Sequence, residues 1–258
     1  MGREIVFAGN WKMHKKIGEA IELANGLLRE LYGIEECRII ICPPFTALSE
    51  VKDVIMDSNI LLGAQNMFWE KEGAYTGEIS PLMLKDVGCE YVIIGHSERR
   101  KYFGEDEQIV NRKIKLALET GLKPIFCLGE KLEERKAGKT LEIVEIQLIG
   151  GLKDIRGGDM KNVVIAYEPV WAIGTGVNAT PQQAEEVQAF IRQKLTELYG
   201  EEAAEGVSIL YGGSVKPDNI EDLMAEKDID GVLVGGASLK VDSFSQIVKK
   251  GMAVKIRR

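Results

Sequence analysis

A single carboxylate marks the junction between an apolar strand and a glycine-bearing loop, in the stretch Ala166-Tyr167-Glu168-Pro169-Val170-Trp171-Ala172-Ile173-Gly174-Thr175-Gly176. The run Val163–Ala166 is continuously apolar, as the strands of buried parallel sheets are. Glu168 is therefore expected at the carboxyl end of a buried strand, where α/β barrels carry their catalytic groups. Partial desolvation raises the pKa of a carboxyl group toward neutrality, so we predict that Glu168 is a general base.

The segment that follows Glu168 has the composition of a hinged lid. In this segment, Pro169–Gly176, two glycines flank Thr175, and glycine accepts backbone angles that other residues resist. Lids of this kind shield reactive intermediates from water. We expect Pro169–Gly176, called the lid below, to close over the base during the reaction.

An amide and a cation follow another apolar strand near the N-terminus, in Ala8-Gly9-Asn10-Trp11-Lys12. Asn10 and Lys12 are two residues apart, so on an extended backbone their side chains point to the same side. Most lysines simply lie on the surface. This segment alone leaves open whether Lys12 is such a surface lysine or a fixed charge in a pocket.

A histidine follows a third apolar strand, in Gly95-His96-Ser97-Glu98. A lone histidine is more often structural than catalytic, but the Ser-Glu pair after this one signals a helix start. A helix N-terminus favours the neutral imidazole, which can donate to a carbonyl oxygen. Glu98 is a candidate for a second base, but the nearby cations, which are the two arginines that follow it and Lys12, favour a role in charge pairing.

Paired glycines end the last two predicted strands, in Tyr211-Gly212-Gly213-Ser214 and Gly235-Gly236-Ala237-Ser238. Paired glycines let the backbone approach an anion, and amides at the start of a short helix then bind it. One such pair could be only a tight turn. Two pairs, at the strands where barrels place phosphate sites, predict a phosphate cradle.

These polar groups fall on a regular alternation of strands and helices. The predicted strands are Ile5–Gly9, Cys37–Cys42, Ile60–Ala64, Tyr91–Ile94, Lys123–Leu128, Asn162–Tyr167, Val207–Tyr211 and Gly231–Val234. Eight strands alternating with helices predict an all-parallel sheet closed into a (β/α)8 barrel. The expected architecture is an α/β fold with one domain over residues 1–258.

Helical patterns fill the spaces between the strands. The first helix is predicted to bury one face, formed by Ile17, Ile21, Ala24, Leu28 and Leu31. After the lid, the capping box Thr180–Gln183 opens a helix with proline at its first position. The predicted buried residues of that helix are Ala184, Val187, Ile191 and Leu198. Ser80-Pro81 marks a further helix start.

The overall composition narrows the class of protein. The chain has 258 residues, of which 45% are hydrophobic, and a net charge of -7, which argues against nucleic acid as a partner. No apolar run approaches a membrane span and the N-terminus lacks a leader pattern, so we expect a cytoplasmic protein without a membrane partner. Cys37 and Cys42 bracket one strand on opposite faces and cannot bridge each other, and Cys89 and Cys127 are expected to be buried free thiols. No metal site is expected.

The motifs taken together resemble those of the triosephosphate isomerases. The matching segments are Gly9–Lys12, Gly95–Arg100, Ala166–Gly176, Tyr211–Ser214 and Gly235–Ser238. This resemblance implies reversible isomerisation of dihydroxyacetone phosphate and D-glyceraldehyde 3-phosphate, a reaction of glycolysis and gluconeogenesis. The reaction would proceed by proton transfer through an enediolate, without a metal or an organic cofactor.

The resemblance also implies a role for each site residue. Glu168 would move the proton, His96 would polarise the carbonyl group as a neutral electrophile, and Lys12 would supply positive charge beside Asn10. The implied donors to the phosphate group are Gly174, Ser214, Gly235 and Gly236. The lid would retain the enediolate until the proton has been returned.

A long loop, Gln65–Glu78, resembles the dimer loop of that family. The resemblance implies a homodimer or higher oligomer in which Thr76 reaches a neighbouring active site. On the residues alone this loop is merely long and glycine-bearing. If it projected from a monomer, Met67–Trp69 and Tyr75 would be exposed together, and clustered apolar surface usually marks an interface.

Two other function classes stay open at this point. A phosphate-binding lyase or aldolase would need a Schiff-base lysine at a strand end, and Lys12 is the pocket candidate. A non-catalytic barrel would be expected to have lost at least one of Glu168, His96 and Lys12, whereas all three are present.

Overall fold

Eight parallel strands form a closed barrel in sequence order. The structure, a computed structural model, describes residues 3–172 and 179–256. Its strands are β1 (Val6–Asn10), β2 (Arg38–Cys42), β3 (Ile60–Ala64), β4 (Tyr91–Ile94), β5 (Lys123–Leu128), β6 (Val164–Tyr167), β7 (Ser208–Tyr211) and β8 (Gly231–Val234). Each strand pairs with the next, and β8 pairs with β1. The predicted (β/α)8 barrel is confirmed, with strand limits correct to within two residues.

Helices connect the strands around the outside of the barrel. They are α1 (Ile17–Leu31), α2 (Leu48–Ile55), α3 (Pro81–Val87), α4 (Ser97–Phe103), α5 (Glu107–Glu119), α6 (Leu132–Lys136), α7 (Thr140–Gly151), α8 (Pro181–Tyr199), α9 (Glu201–Glu205), α10 (Ile220–Met224) and α11 (Val241–Ile256). Short 3-10 turns lie at Phe45–Ala47, Gly157–Asn162, Val170–Ala172 and Gly236–Leu239. No helix within the described ranges is long and apolar enough to cross a membrane.

The strands read as continuous apolar runs because both of their faces are buried. Alternate residues belong to two cores. One core fills the inside of the barrel and includes Ala8, Ile40 and Ile93. The other lies between strands and helices and includes Phe7 and Phe126. Charged and polar groups are therefore confined to the strand ends, which is where the motifs of the sequence fall.

The predicted buried faces of two helices are partly wrong. In α1, Ile17 is exposed, and the face that packs on the barrel is formed by Ala20, Leu23, Ala24, Leu27 and Leu31. In α8, Ala184, Val187 and Ile191 are buried as predicted, but Leu198 is 44% exposed. The 19-residue helix is much longer than the four-residue strands that it covers, so its last turn projects beyond them.

The predicted helix starts and cysteine states are confirmed. The Thr180 hydroxyl accepts from the Gln183 amide at 3.2 Å, and the Gln183 side chain accepts from the Thr180 amide at 3.1 Å. The Ser80 hydroxyl likewise accepts from the Met83 amide at the start of α3. All four cysteines are free and buried.

Candidate active site

A cavity of about 440 Å³ opens at the carboxyl ends of the strands. The predicted site residues that line it are Asn10, Lys12, His96, Glu168, Ser214, Gly235 and Gly236. They come from the ends of β1, β4, β6, β7 and β8, so barrel closure brings together segments that are far apart in the chain. Gly174 lies outside the described residues, as do the lid residues 173–176.

Glu168 is buried and held by three donors. One carboxylate oxygen lies 3.0 Å from His96 Nε2. The Ser97 amide donates to the other oxygen at 2.9 Å, and the Ser97 hydroxyl donates to the first at 3.2 Å. Sequence reasoning missed Ser97, although its position at the start of α4 was a signal that its amide would be available.

These donors reverse the expected shift in the acidity of Glu168. Burial raises the pKa of Glu168, but His96, the Ser97 amide and Lys12 together lower it by a larger amount. The net pKa therefore lies below the ordinary value. The expected net rise of this pKa toward neutrality is therefore wrong, although burial by itself does raise it. The carboxylate is ionised and hydrogen-bonded to the protein.

His96 is held in one tautomer by the helix that follows it. It caps the N-terminus of α4, and its Nδ1 accepts from the Glu98 amide at 3.2 Å. Nε2 therefore carries the hydrogen and points to the Glu168 carboxylate. Burial lowers the pKa of His96 while the Glu168 carboxylate raises it, with a net rise. The Glu168 carboxylate is the largest cause of this rise.

Lys12 is positioned through its backbone. Its φ of 52° is in the left-handed region, which a residue with a side chain adopts only when the surroundings hold it there. The Asn10 side-chain oxygen accepts from the Lys12 amide at 2.9 Å, and the Gln65 side chain donates to the Lys12 carbonyl at 2.8 Å. Sequence reasoning missed Gln65, since nothing in its local sequence connects it with β1.

The charge of Lys12 is paired with Glu98. The ammonium group lies 2.7 Å from the Glu98 carboxylate. The neighbouring arginines are bound elsewhere, Arg99 to Glu105 and Arg100 to Glu107. Of the partners considered for Glu98, the structure therefore selects Lys12, which fixes the ammonium group at the cavity.

The two glycine pairs border the cavity and leave space for neighbouring groups. A Cβ atom on Gly235 would lie 3.3 Å from Lys12 Cε, and one on Gly212 would lie 2.9 Å from Glu168 Cγ. Gly236 begins the 3-10 turn that ends at Leu239. Among the described residues lining the cavity, the cations are Lys12, Lys216 and Lys240, and Glu168 is the acid. This charge balance suits a small anion.

The described part of the lid is anchored by Glu130, which sequence reasoning also missed. The buried Glu130 carboxylate accepts from Trp171 Nε1 at 2.8 Å and from the Tyr167 hydroxyl at 3.1 Å. Arg135 pairs with the same carboxylate and lies over the Trp171 ring. The Val170 amide donates to the Glu130 carbonyl at 3.1 Å. The chain therefore leaves Glu168 through a well-bonded turn.

The loop Gln65–Glu78 is more compact than expected. Met67 is fully buried in the chain's own core, so the prediction that it belongs to an exposed cluster is wrong. Phe68 and Trp69 are half-buried, and Phe68 stacks on Trp69 and packs on Tyr75. The Phe68 amide donates to the Ile79 carbonyl, which turns Met67 inward. Tyr75 remains 44% exposed, and Thr76 is exposed beside it, away from the cavity.

Together, the fold and the site define a (β/α)8-barrel enzyme with an acid–base pair in a cavity suited to a small anion. Within residues 3–172 and 179–256, no group of three or more His, Cys, Asp or Glu side chains is arranged to hold a metal ion. The sequence model of the triosephosphate isomerase family matches residues 5–251. The chain belongs to the triosephosphate isomerase family.

Individual relatives match over almost the whole chain. The triosephosphate isomerase of Carboxydothermus hydrogenoformans is 56% identical over 247 residues, covering 96% of this chain and 98% of the relative. That of Caldanaerobacter subterraneus subsp. tengcongensis is 57% identical, covering 95% and 99%. The crystal structure of triosephosphate isomerase from Bartonella henselae superposes with a TM-score of 0.88 at 41% identity, covering 96% and 98%.

Proposed function

We propose that this chain interconverts dihydroxyacetone phosphate and D-glyceraldehyde 3-phosphate, in glycolysis and gluconeogenesis. Its family membership supports the reaction. The observation that carries the assignment of residues is the pair formed by Glu168 and His96. Their reactive atoms lie 3.0 Å apart at the wall of one cavity, with the Lys12 ammonium group beside them.

In the proposed mechanism, Glu168 removes a proton from the carbon next to the carbonyl group. The electron pair of the broken C–H bond forms the carbon–carbon double bond of the enediolate. A proton then passes from the oxygen on the first carbon to the oxygen on the second, by way of His96 Nε2. Glu168 returns its own proton to the second carbon, which converts ketose to aldose with no net change in atoms or charge. To reach the substrate, Glu168 gives up its bonds to Ser97 and His96.

His96 and Lys12 would stabilise the charge that develops on oxygen. The Nε2 hydrogen of His96 donates to the carbonyl oxygen when Glu168 has left it. The Lys12 ammonium group, oriented by Glu98, offers a positive charge to both the enediolate and the phosphate. Fixed charges and donors are effective because they need not reorganise during the reaction.

The phosphate group would bind at the glycine-bordered side of the cavity. Ser214, Gly235 and Gly236 line that side. Gly174, which lies outside the described residues, completes the proposed set by resemblance. The reaction needs only acid–base chemistry, so we propose that it uses neither a metal nor an organic cofactor.

We further propose a cytoplasmic enzyme with a single barrel domain over residues 1–258. It would assemble as a homodimer or higher oligomer and bind neither nucleic acid nor membranes. The exposed side chains of Tyr75 and Met83 beside Thr76 support an interface at the loop. Thr76 of one subunit would then reach the active site of the other. The net charge of -7 supports the absence of nucleic acid.

A coupled assay with D-glyceraldehyde 3-phosphate tests the reaction directly. We expect formation of dihydroxyacetone phosphate without added metal and without loss of activity in a chelator. Borohydride trapping with substrate separates this reaction from an aldolase mechanism, because only a Schiff base gives a covalent adduct on Lys12. An adduct with no isomerisation would refute the proposal.

A further inference from the structure

We propose that Gln147, on the outer helix α7, is a positioning residue for Glu168 and acts through the backbone of Gly129. Gln147 does not line the cavity. Its side-chain amide instead bonds to both backbone polar groups of Gly129, the residue that follows β5. The Gly129 amide donates to Gln147 Oε1 at 2.8 Å, and Gln147 Nε2 donates to the Gly129 carbonyl at 3.2 Å.

This pair of bonds continues the sheet past its end. The ladder between β5 and β6 ends at Leu128 and Tyr167, so the strand pairing does not extend to Gly129. A primary amide presents a donor and an acceptor side by side, as a peptide unit does. The Gln147 side chain therefore takes the place of a neighbouring peptide unit in the hydrogen-bonding pattern. It fixes the orientation of the peptide groups on either side of Gly129.

The backbone of the proposed base rests directly on that residue. A Cβ atom on Gly129 would lie 1.8 Å from the Glu168 carbonyl oxygen, which shows that the two backbones touch. The Glu168 amide also donates to the Leu128 carbonyl at 2.7 Å. A rotation of the peptide at Gly129 would push the Glu168 backbone, and with it the carboxylate, out of place.

The same peptide carries the anchor of the lid. Glu130 follows Gly129 directly, and its carboxylate holds Trp171 and Tyr167. Its carbonyl accepts from the Val170 amide. By holding Gly129, Gln147 therefore positions the residues on both sides of Glu168 as well as Glu168 itself.

The helix that carries Gln147 is itself tightly seated against β5. Gly151 lies one turn further along α7, and a Cβ atom there would come within 2.3 Å of the Phe126 ring. The buried Asn111 side chain donates to the Gly151 carbonyl at 2.9 Å. This close packing fixes α7 against β5, so that the Gln147 side chain stays at hydrogen-bonding distance from Gly129.

Loss of this support would affect the transition state more than the bound ground state. Small displacements of a reacting group have large effects on rate, on the order of 10²-fold for about 1 Å. Ser214, Gly235 and Gly236, which are proposed to bind the phosphate, follow β7 and β8 and would keep their positions. This inference rests on the proposed role of Glu168 as the base.

The test compares two variants of Gln147 with a matched control in the full-length protein. Gln147→Met removes both hydrogen bonds at similar side-chain length. Gln147→Glu keeps an acceptor for the Gly129 amide but places a carboxylate against the Gly129 carbonyl. Gln188→Met is the control, because Gln188 is a buried glutamine on α8 whose side-chain atoms have no hydrogen-bond partner among the described residues.

The readouts are kcat, KM and the affinities for two unreactive phosphate esters. Glycerol 3-phosphate probes phosphate binding, whereas 2-phosphoglycolate carries a planar carboxylate that resembles the enediolate. The ratio of these affinities does not depend on the fraction of folded protein, so a merely structural role would not change it.

For Gln147→Met we expect kcat to fall by roughly 10–100-fold, with KM and glycerol 3-phosphate affinity within about threefold. Affinity for 2-phosphoglycolate should fall with kcat, and Gln147→Glu should show the same pattern to a smaller degree. Should Gln147→Met fail to fold, Gln147→Glu decides. Unchanged kcat and an unchanged affinity ratio in a folded variant, or an equal loss in Gln188→Met, overturns the inference. Inactivity of the unmodified chain would instead refute the proposed function.

Discussion

Replacing Glu168 by glutamine separates proton transfer from substrate binding. The amide has the same length and keeps an oxygen for the Ser97 amide, which is 2.9 Å from the carboxylate in the unmodified chain. It cannot take a proton from carbon. Among the described residues lining the cavity, Glu168 is the carboxylate, so no other carboxylate there can replace it as the base.

The expected loss follows from these contacts. A positioned general base contributes ~10²–10⁴-fold in rate, or about 2.7–5.4 kcal/mol at 1.36 kcal/mol for each factor of ten. We expect Glu168→Gln to lower kcat by at least this factor. Ser214, Gly235 and Gly236, which are proposed to bind the phosphate, follow β7 and β8 and are unchanged, so KM should stay within about threefold.

The assay is coupled turnover in both directions on protein whose fold is checked by circular dichroism. Glu185→Gln is the matched control. Glu185 is partly buried and accepts from the Asp228 amide, but it does not line the cavity, so its replacement should leave kcat unchanged. A Glu168→Gln enzyme with kcat within tenfold of the unmodified chain would show that the base has been wrongly assigned.

The remaining predictions concern pH, the lid anchor and assembly. Because the pKa of Glu168 is lowered in the folded state, this carboxylate stabilises the fold above about pH 4.5. That stabilisation is lost as the pH falls through the folded-state pKa. Because the pKa of His96 is raised in the folded state, this imidazole stabilises the fold below about pH 6.5. That stabilisation is lost as the pH rises through the folded-state pKa. The loss of unfolding free energy caused by Glu168→Gln, measured by urea titration, should therefore be largest between these two pH values. A loss that does not change with pH would contradict the pairing of Glu168 with His96. Trp171→Phe removes the bond to Glu130 and should raise the share of turnovers that end in phosphate elimination to methylglyoxal; an unchanged product ratio would argue against this anchor. Replacing residues 70–77 by a tight turn, which spares the buried core beneath the loop, should give soluble monomers with far lower kcat. Sedimentation and kinetic measurements on the same sample test this prediction. A fully active monomer would show that assembly does not organise the active site.

Most of the fold could be read from the sequence because its signals are local. A strand buried on both faces is apolar at every position, and eight such runs alternate with helical patterns. Helix starts at Thr180 and Ser80 depend on a few adjacent residues. The extent of each buried helix face was less predictable, as Ile17 and Leu198 show, because it depends on how far the helix extends past its strands.

The identities of the groups around the cavity were also available from the sequence. Parallel strands of a closed barrel all end at one rim, so Lys12, His96 and Glu168 could be placed together without knowledge of any contact. Sequence also indicated that Glu98 pairs with a cation. It left three candidate cations, because the choice depends on side-chain distances across the barrel.

Only the tertiary structure decided how these groups are held. Ser97 and Gln147 lie 71 and 18 residues from the groups they contact, and no local pattern connects such pairs. The direction of the Glu168 pKa shift was predicted wrongly for the same reason, since apolar neighbours in sequence indicate burial but not the donors that cancel it. Residue types along the chain thus determined which chemistry is possible, whereas distances between remote residues determined how it is positioned.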